Sequence, residues 1–121
     1  MRLLLDTNAL VRWHLDKLRP AAVRTVQRAE LVVVSAISAW EIAIKGAVGK
    51  LDLKDTVEDI VARSRFHPLP VTIRHGDLLR DLPGHHSDPF DRLLIAQAVE
   101  DRLAIVTADG QFGRYPVRVI W

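Results

Sequence analysis

Apolar positions fall into short runs and helical periods that alternate along the chain. Arg2 to Leu5 is a run stopped by Asp6, and Thr7 to Leu15 then carries Leu10, Val11, His14 and Leu15 at helical spacing, which predicts a strand followed by a helix. Pro20 suits the first turn of a second helix over Ala21 to Ala29, and Leu31 to Val34, a valine-rich run before Ser35, predicts a second strand. From Ser35 or Ser38 onward, Ile37, Trp40, Ile44, Ala47 and Val48 recur at three and four residues until Gly49 ends the helix. Leu53 to Phe66 predicts a further helix with Val57, Ile60 and Val61 inward, and Pro68 and Pro70 flank a short strand over Leu69 to Ile73.

Gly76 to Leu82 predicts one or two helical turns, and Pro83 to Ser87 a loop of Gly, Pro and His. Asp88-Pro89 is an N-cap with proline at the first helical position and opens a helix through Asp101. Leu103 to Val106 reads as a strand, Asp109-Gly110 as a turn and Val117 to Ile120 as a closing strand. Strands alternating with helices need crossover connections, so the pattern predicts an α/β fold of three layers, a parallel central sheet flanked by helices.

Composition narrows this picture. With 121 residues against about 150 per domain, residues 1–121 form a single domain. No apolar run approaches the ~20 residues that cross a bilayer, and MRLLLD has neither the apolar core nor the cleavage site of a secretory signal, so the expected location is cytoplasmic and no membrane contact is expected. The absence of cysteine excludes disulfides and thiolate sites, leaving carboxylates and five histidines as metal ligands. A net charge of +2 is too weak to hold nucleic acid by overall field, so such contact needs local patches; 13 arginines against 4 lysines favour bidentate phosphate contacts.

Four acids stand out. Asp6 and Asp109 follow strands, at the carboxyl ends where open parallel sheets build their sites. Asp91 lies among Leu94, Ile95 and Ala98 on the apolar face of its helix, and Glu41 lies at the margin of another apolar arc. Each also has a plain structural reading: Asp6 as an N-cap, Asp109 as a turn residue, Glu41 as the i,i+4 partner of Lys45, Asp91 as one half of a capping box with Asp88. Asp88 itself is accounted for by the cap, and Ser35 and Ser38 by capping rather than nucleophilic roles. Taken together the four repel one another and require a cation or raised pKa values. Oxygen ligands select Mg2+ or Mn2+, which suits phosphodiester cleavage by activated water.

The segments LLLDTNAL (3–10), SAISAWEIAIKGAVGKL (35–51), HSDPFDRLLIAQA (86–98) and LAIVTADGQF (103–112) resemble, in order and across nearly the whole chain, the PIN-domain ribonucleases, specifically VapC-type toxins of bacterial toxin-antitoxin pairs. The resemblance implies a PIN-like fold and a homodimer. It matches Asp6, Glu41, Asp91 and Asp109 to the family's metal-binding acidic quartet, with Thr7, Asn8 and Thr107 beside it. It also implies cleavage of RNA with Mg2+ or Mn2+, silencing by a small cognate antitoxin, and DNA contact only indirectly through that antitoxin. His86 matches a histidine that precedes DPFDR in this subgroup, although a loop histidine is more often solvated, and His85 has less support. Arg92, next to Asp91, offers a contact to phosphate or to partner acids, but the commoner case, and the expected one, is an exposed helical arginine without a partner.

Two other readings compete. A phosphoryl-accepting receiver needs a second acid two residues after Asp6, where Asn8 stands, and a lysine near the last strand, yet none follows Lys54. A catalytically idle PIN-like scaffold, binding RNA or protein, has no reason to keep four mutually repelling acids. Trp40, Ile44 and Val48, with Val57 and Ile60, offer more apolar helix surface than one short sheet covers, as a dimer would require.

Overall fold

The computed structural model describes residues 1–121. Five parallel strands, β1 (Arg2–Leu5), β2 (Leu31–Ser35), β3 (His67–Leu69), β4 (Ala104–Val106) and β5 (Val119–Ile120), form one sheet in the order β3-β2-β1-β4-β5. Side chains alternate across it. Leu3, Leu5, Val32, Val34, Ala104 and Val106 face a core completed by helices α1 (Thr7–His14), α2 (Pro20–Arg28) and α4 (Val57–Arg63). Leu4, Val33 and Ile105 face a second core, filled from α3 (Ala36–Ala47) and α6 (Pro89–Asp101) by Ile37, Leu94, Ile95 and Ala98. The remaining helix, α5 (Ile73–Leu78), packs on α6. This is the expected three-layer α/β arrangement, and no helix is long and apolar enough to cross a membrane.

β1 lies between β2 and β4, so the connections leave it on opposite sides and open a crevice at its carboxyl end. Asp6 sits there, and its backbone N–H extends the ladder to Val106 O at 3.1 Å.

Several boundaries differ from expectation. The helix predicted over Leu53 to Phe66 is confined to Val57–Arg63, because Thr56 caps it by accepting from Asp59 N. Asp55, just before that cap, pairs with His14 and Arg63 instead of entering a turn. The strand expected at Leu69 to Ile73 is His67–Leu69, in register with Val33 to Ser35. Pro68 is tolerated because β3 is an edge strand, and Thr72 ends the extended stretch by forming a capping box with His75. α5 therefore starts three residues before the predicted Gly76, and the closing strand shortens to Val119–Ile120. The apolar set expected to remain uncovered divides: Ile60 is buried in the core, whereas Trp40, Ile44 and Val48 are 59%, 40% and 64% exposed. α3 buries Ile37, Ser38 and Glu41 instead, so its most regular apolar stripe faces outward.

Candidate metal-binding active site

A cleft of about 700 Å³ opens at the carboxyl ends of β1 and β4, and Asp6, Glu41, Asp91 and Asp109 all line it, along with Asp88, Thr7 and Asn8. Local capping explains how the chain brings them there. Asp6 caps α1, its Oδ1 accepting from Ala9 N at 2.7 Å, so the cap and cleft readings of this residue are both met. Asp109 caps a short 3-10 helix through Oδ1, which accepts from Gln111 N at 2.9 Å, and turns Oδ2 toward His86. Asp88 Oδ1 accepts from both Phe90 N and Asp91 N at the start of α6. The reciprocal bond of a capping box is not made by Asp91: His86 Nδ1 accepts from Asp88 N at 3.2 Å, which leaves the Asp91 carboxylate facing His86.

His86 is thus not the solvated loop histidine that its position suggests. Its side chain is 10% exposed, with Nε2 at 2.9 Å from Asp91 Oδ2 and 3.1 Å from Asp109 Oδ2. Because Nδ1 accepts the Asp88 N–H, the proton of a neutral ring lies on Nε2, between the two carboxylates. The ligand atoms of His86, Asp91 and Asp109 lie within 4.8 Å of one another.

The other two acids are more deeply buried, Asp6 at 7% exposed and Glu41 at 4%. Burial pushes the Asp6 carboxyl above its ordinary range. Hydrogen bonds from Thr107 and Ala9 oppose this, and the charges of Glu41 and Asp109 reinforce it. Burial likewise raises Asp91, to about 7, with Asp88 adding to the shift and His86 opposing it. Glu41 Oε2 accepts from Lys45 Nζ at 2.6 Å, as the i,i+4 spacing predicts, and this bond raises the lysine pKa. Its Oε1 is buried without any hydrogen-bond partner.

The supporting residues take distinct positions. The Thr7 and Ser38 hydroxyls share a buried hydrogen bond of 2.9 Å, tying α1 to α3 beside the acids, so Ser38 is not the cap of α3; Ser35 is. Thr107 Oγ1 accepts from Asp109 N at 3.0 Å. Asn8 is exposed, its Oδ1 accepting from Arg12 Nε at 2.7 Å. Arg92 departs from expectation. Its guanidinium donates to Pro83 O and Leu79 O, and at 3.4 Å to Tyr115 Oη, while that oxygen accepts from His86 N at 2.8 Å. It staples the 79–86 segment and sets His86 in place. His85 stacks edge-on against the Tyr115 ring, outside the acidic group. The cleft also contains Arg12, Lys17, Lys45 and Lys50, three of which sequence reasoning passed over. For Lys17 and Lys50 the signal lay in the helix-ending residues Asp16 and Gly49, each followed directly by lysine; Arg12, inside α1, has no such mark.

Four carboxylates lining one cleft, with a buried Glu41 oxygen that has no partner, fit a hard divalent cation; the ligand atoms already drawn together are those of His86, Asp91 and Asp109, while Asp6 and Glu41 line the cleft outside that group. Without such a cation, Lys45 offsets part of the crowded charge, the raised pKa values of Asp6 and Asp91 reduce it further, and His86 Nε2 lies within hydrogen-bond distance of both Asp91 and Asp109.

Comparison with known proteins agrees with the fold. The chain resembles VapBC2 of Rickettsia felis, solved bound to a promoter DNA fragment, at 17% identity over 99% of this chain and 98% of that one, with a TM-score of 0.75. It also resembles FitAcB of Neisseria gonorrhoeae (23% identity, 98% and 96% covered, TM-score 0.67). DNA-bound VapBC of Salmonella typhimurium gives 23% identity, 99% and 97% covered, and a TM-score of 0.66. No curated protein matches in sequence. The model of the PIN domain family matches residues 3–117, nearly the whole fold and all four acids, and the chain belongs to that family.

Proposed function

We propose that this chain is a metal-dependent ribonuclease that acts as the VapC-type toxin of a toxin-antitoxin pair. The observation that carries the reading is the buried, unpartnered Oε1 of Glu41 in a cleft shared with Asp6, Asp91 and Asp109. Asp6, Glu41, Asp91 and Asp109 would hold Mg2+ or Mn2+. Such an ion supplies positive charge to the scissile phosphate and lowers the pKa of attacking water.

The chain's own groups prepare this chemistry. The Thr107 hydroxyl accepts from Asp109 N and lowers the Asp6 pKa, so one side chain acts on acids from two strand ends. Lys45 neutralises one oxygen of Glu41 and leaves the other for a cation. His86 holds Asp91 and Asp109 at a common point through Nε2, and Arg92 with Tyr115 fixes the loop that carries it. Thr7 keeps α1 against α3, and Asn8 positions Arg12 at the cleft mouth.

A toxin-antitoxin complex from Klebsiella pneumoniae is among the similar solved structures, and VapBC2 and VapBC were solved bound to DNA. This supports a small cognate antitoxin as partner, with DNA reached only through it, and a cytoplasmic site of action. The exposed stripe of Trp40, Ile44 and Val48 supports a homodimer.

RNA incubated with purified protein tests the central claim. Cleavage is expected with Mg2+ or Mn2+, none with chelator, and at least a hundredfold loss in Asp91→Asn. Undiminished cleavage by Asp91→Asn, free of contaminating nuclease, would overturn the assignment.

A further inference from the structure

α1 and α3 are the two helices that leave the sheet beside the acids, and they end in the same way. After α1, Asp16 adopts a left-handed conformation (φ 58°), its N–H donates to Trp13 O at 3.2 Å, and Lys17 N–H donates to Arg12 O at 2.7 Å. After α3, Gly49 does the same (φ 73°), with its N–H to Gly46 O at 3.1 Å and Lys50 N–H to Lys45 O at 2.9 Å. Caps of this kind commonly place an apolar residue where Lys17 and Lys50 stand, to pack against the last helical turn.

The same molecule shows that usual form. Phe66 N–H donates to Val61 O past left-handed Arg65, and Leu103 N–H donates to Ala98 O past left-handed Arg102. Phe66 and Leu103 are both buried. Only at the cleft is the packing residue replaced by lysine, and both lysines are exposed. Each reversal also returns its lysine to a basic residue one turn earlier, Arg12 or Lys45.

Arg12, Lys17 and Lys50 make no ion pair, although five acids share their cleft. Asn8 takes the Nε–H of Arg12 and leaves its terminal N–H groups free. Unpaired cations bordering a cation-seeking acidic centre fit a polyanion whose central charge meets the acids through a metal and whose flanking charges meet the rim. Resting on the nuclease reading, we infer that Arg12, Lys17 and Lys50 are positioning residues that seat the RNA phosphates on either side of the scissile one. An acidic peptide fits less well, since an RNA backbone carries a charge at every residue on both sides of the one at the acids, whereas peptide carboxylates are spaced on separate flexible side chains.

The test measures binding of a fluorescein-labelled single-stranded RNA of about 20 nucleotides by anisotropy, in chelator, across KCl from about 0.05 to 0.5 M. Removing two phosphate contacts in Lys17→Gln/Lys50→Gln should lower the log–log salt slope by about 1.4 and weaken binding about 25-fold near 0.1 M salt. Arg24→Gln, exposed on α2 away from the cleft, should match wild type. In cleavage the double variant should raise KM with kcat within about twofold, and its metal-induced melting shift should be that of wild type, which separates phosphate seating from a damaged acidic site. An unchanged slope in a wild type that binds and cleaves RNA overturns the seat and leaves the nuclease reading intact. A wild type that neither binds nor cleaves RNA overturns both. Equal losses in Arg24→Gln, or tighter binding of an acidic peptide than of RNA, also overturn it.

Discussion

Lys45 Nζ lies 2.6 Å from Glu41 Oε2, the one cation in direct contact with a carboxylate that is 4% exposed. The pair acts as an internal counter-ion for a site built to hold another. Lys45→Gln should therefore lower the metal-free melting temperature by several degrees, since a charged hydrogen bond to a buried group contributes about 1.5–3 kcal/mol. It should also enlarge the rise produced by Mn2+, because the ion then relieves more repulsion. Scanning fluorimetry with chelator and with Mn2+ measures both; an unchanged metal increment would show that Lys45 and the ion do not serve the same carboxylate.

Asp6 has two roles that substitution separates. Its Oδ1 caps α1 and its carboxylate faces the cleft. Asp6→Asn keeps an oxygen for Ala9 N and removes the buried charge, so the metal-free protein should be as stable as wild type or more so, without a metal response. Asp6→Ala also loses the cap and should fall about 1 kcal/mol below the Asn variant. Urea denaturation in chelator orders the three proteins, and an Ala variant equal to Asn would mean that the cap contributes nothing.

Raised carboxyl pKa values give the metal-free protein an unusual pH response. Asp91, at about 7, and Asp6 retain protons in the fold at pH values where the unfolded chain has lost them, so the native state binds more protons between about pH 4 and 7. Their contribution to stability is present at the low end of that window and is lost as pH rises through it. Denaturation midpoints in chelator should show wild type losing stability relative to Asp91→Asn from pH 5 to 8. Saturating Mn2+, which favours the ionised carboxylate, should remove the difference in slope. A wild type that gains on the variant as pH rises would contradict the buried, crowded state of Asp91.

Much of this site was legible in sequence because acids are conspicuous against apolar periods: Asp91 beside Leu94 and Ile95, Asp6 after a leucine run. What escaped was set by tertiary contact. Periodicity turned Glu41 toward the sheet, as found, but from the margin of an arc centred on Trp40 and Ile44; α3 instead buries Ile37, Ser38 and Glu41, with Ser38 bonded to Thr7 of α1, and leaves Trp40 and Ile44 outside. His86 looked like a loop residue because its partners, Tyr115 and Asp109, lie 29 and 23 residues away. The β3 edge slipped because proline signals mark extended chain without saying which end of it pairs.

Arg92 organises the loop that carries His86, by donating to two backbone carbonyls and to Tyr115 Oη. Arg92→Ala should leave the sheet intact while loosening residues 79–88, costing about 1–3 kcal/mol for the partners left unpaired. Arg92→Lys, which lacks the planar fork, should recover little. Limited proteolysis and hydrogen exchange read the loop directly. Protection at 79–88 equal to wild type in Arg92→Ala would show that Tyr115 alone fixes His86.

The outward stripe of α3 bears on assembly. Trp40 is 59% exposed and meets Phe90 edge-on at 5.3 Å between ring centres, and Ile44 and Val48 continue the stripe along the helix. Burying a side chain of this kind is worth about 1.5–3 kcal/mol, so leaving three in water is a cost that a symmetric partner removes twice over. Sedimentation equilibrium of the chain alone should show a dimer at micromolar concentration, and Trp40→Asp/Ile44→Asp should be monomeric. Both substitutions lie on the solvent side, so the variant's metal-induced melting shift should persist even though its baseline stability changes with dimer loss. A wild-type monomer at that concentration would overturn the dimer, and the same two variants would then be tested for binding of the antitoxin.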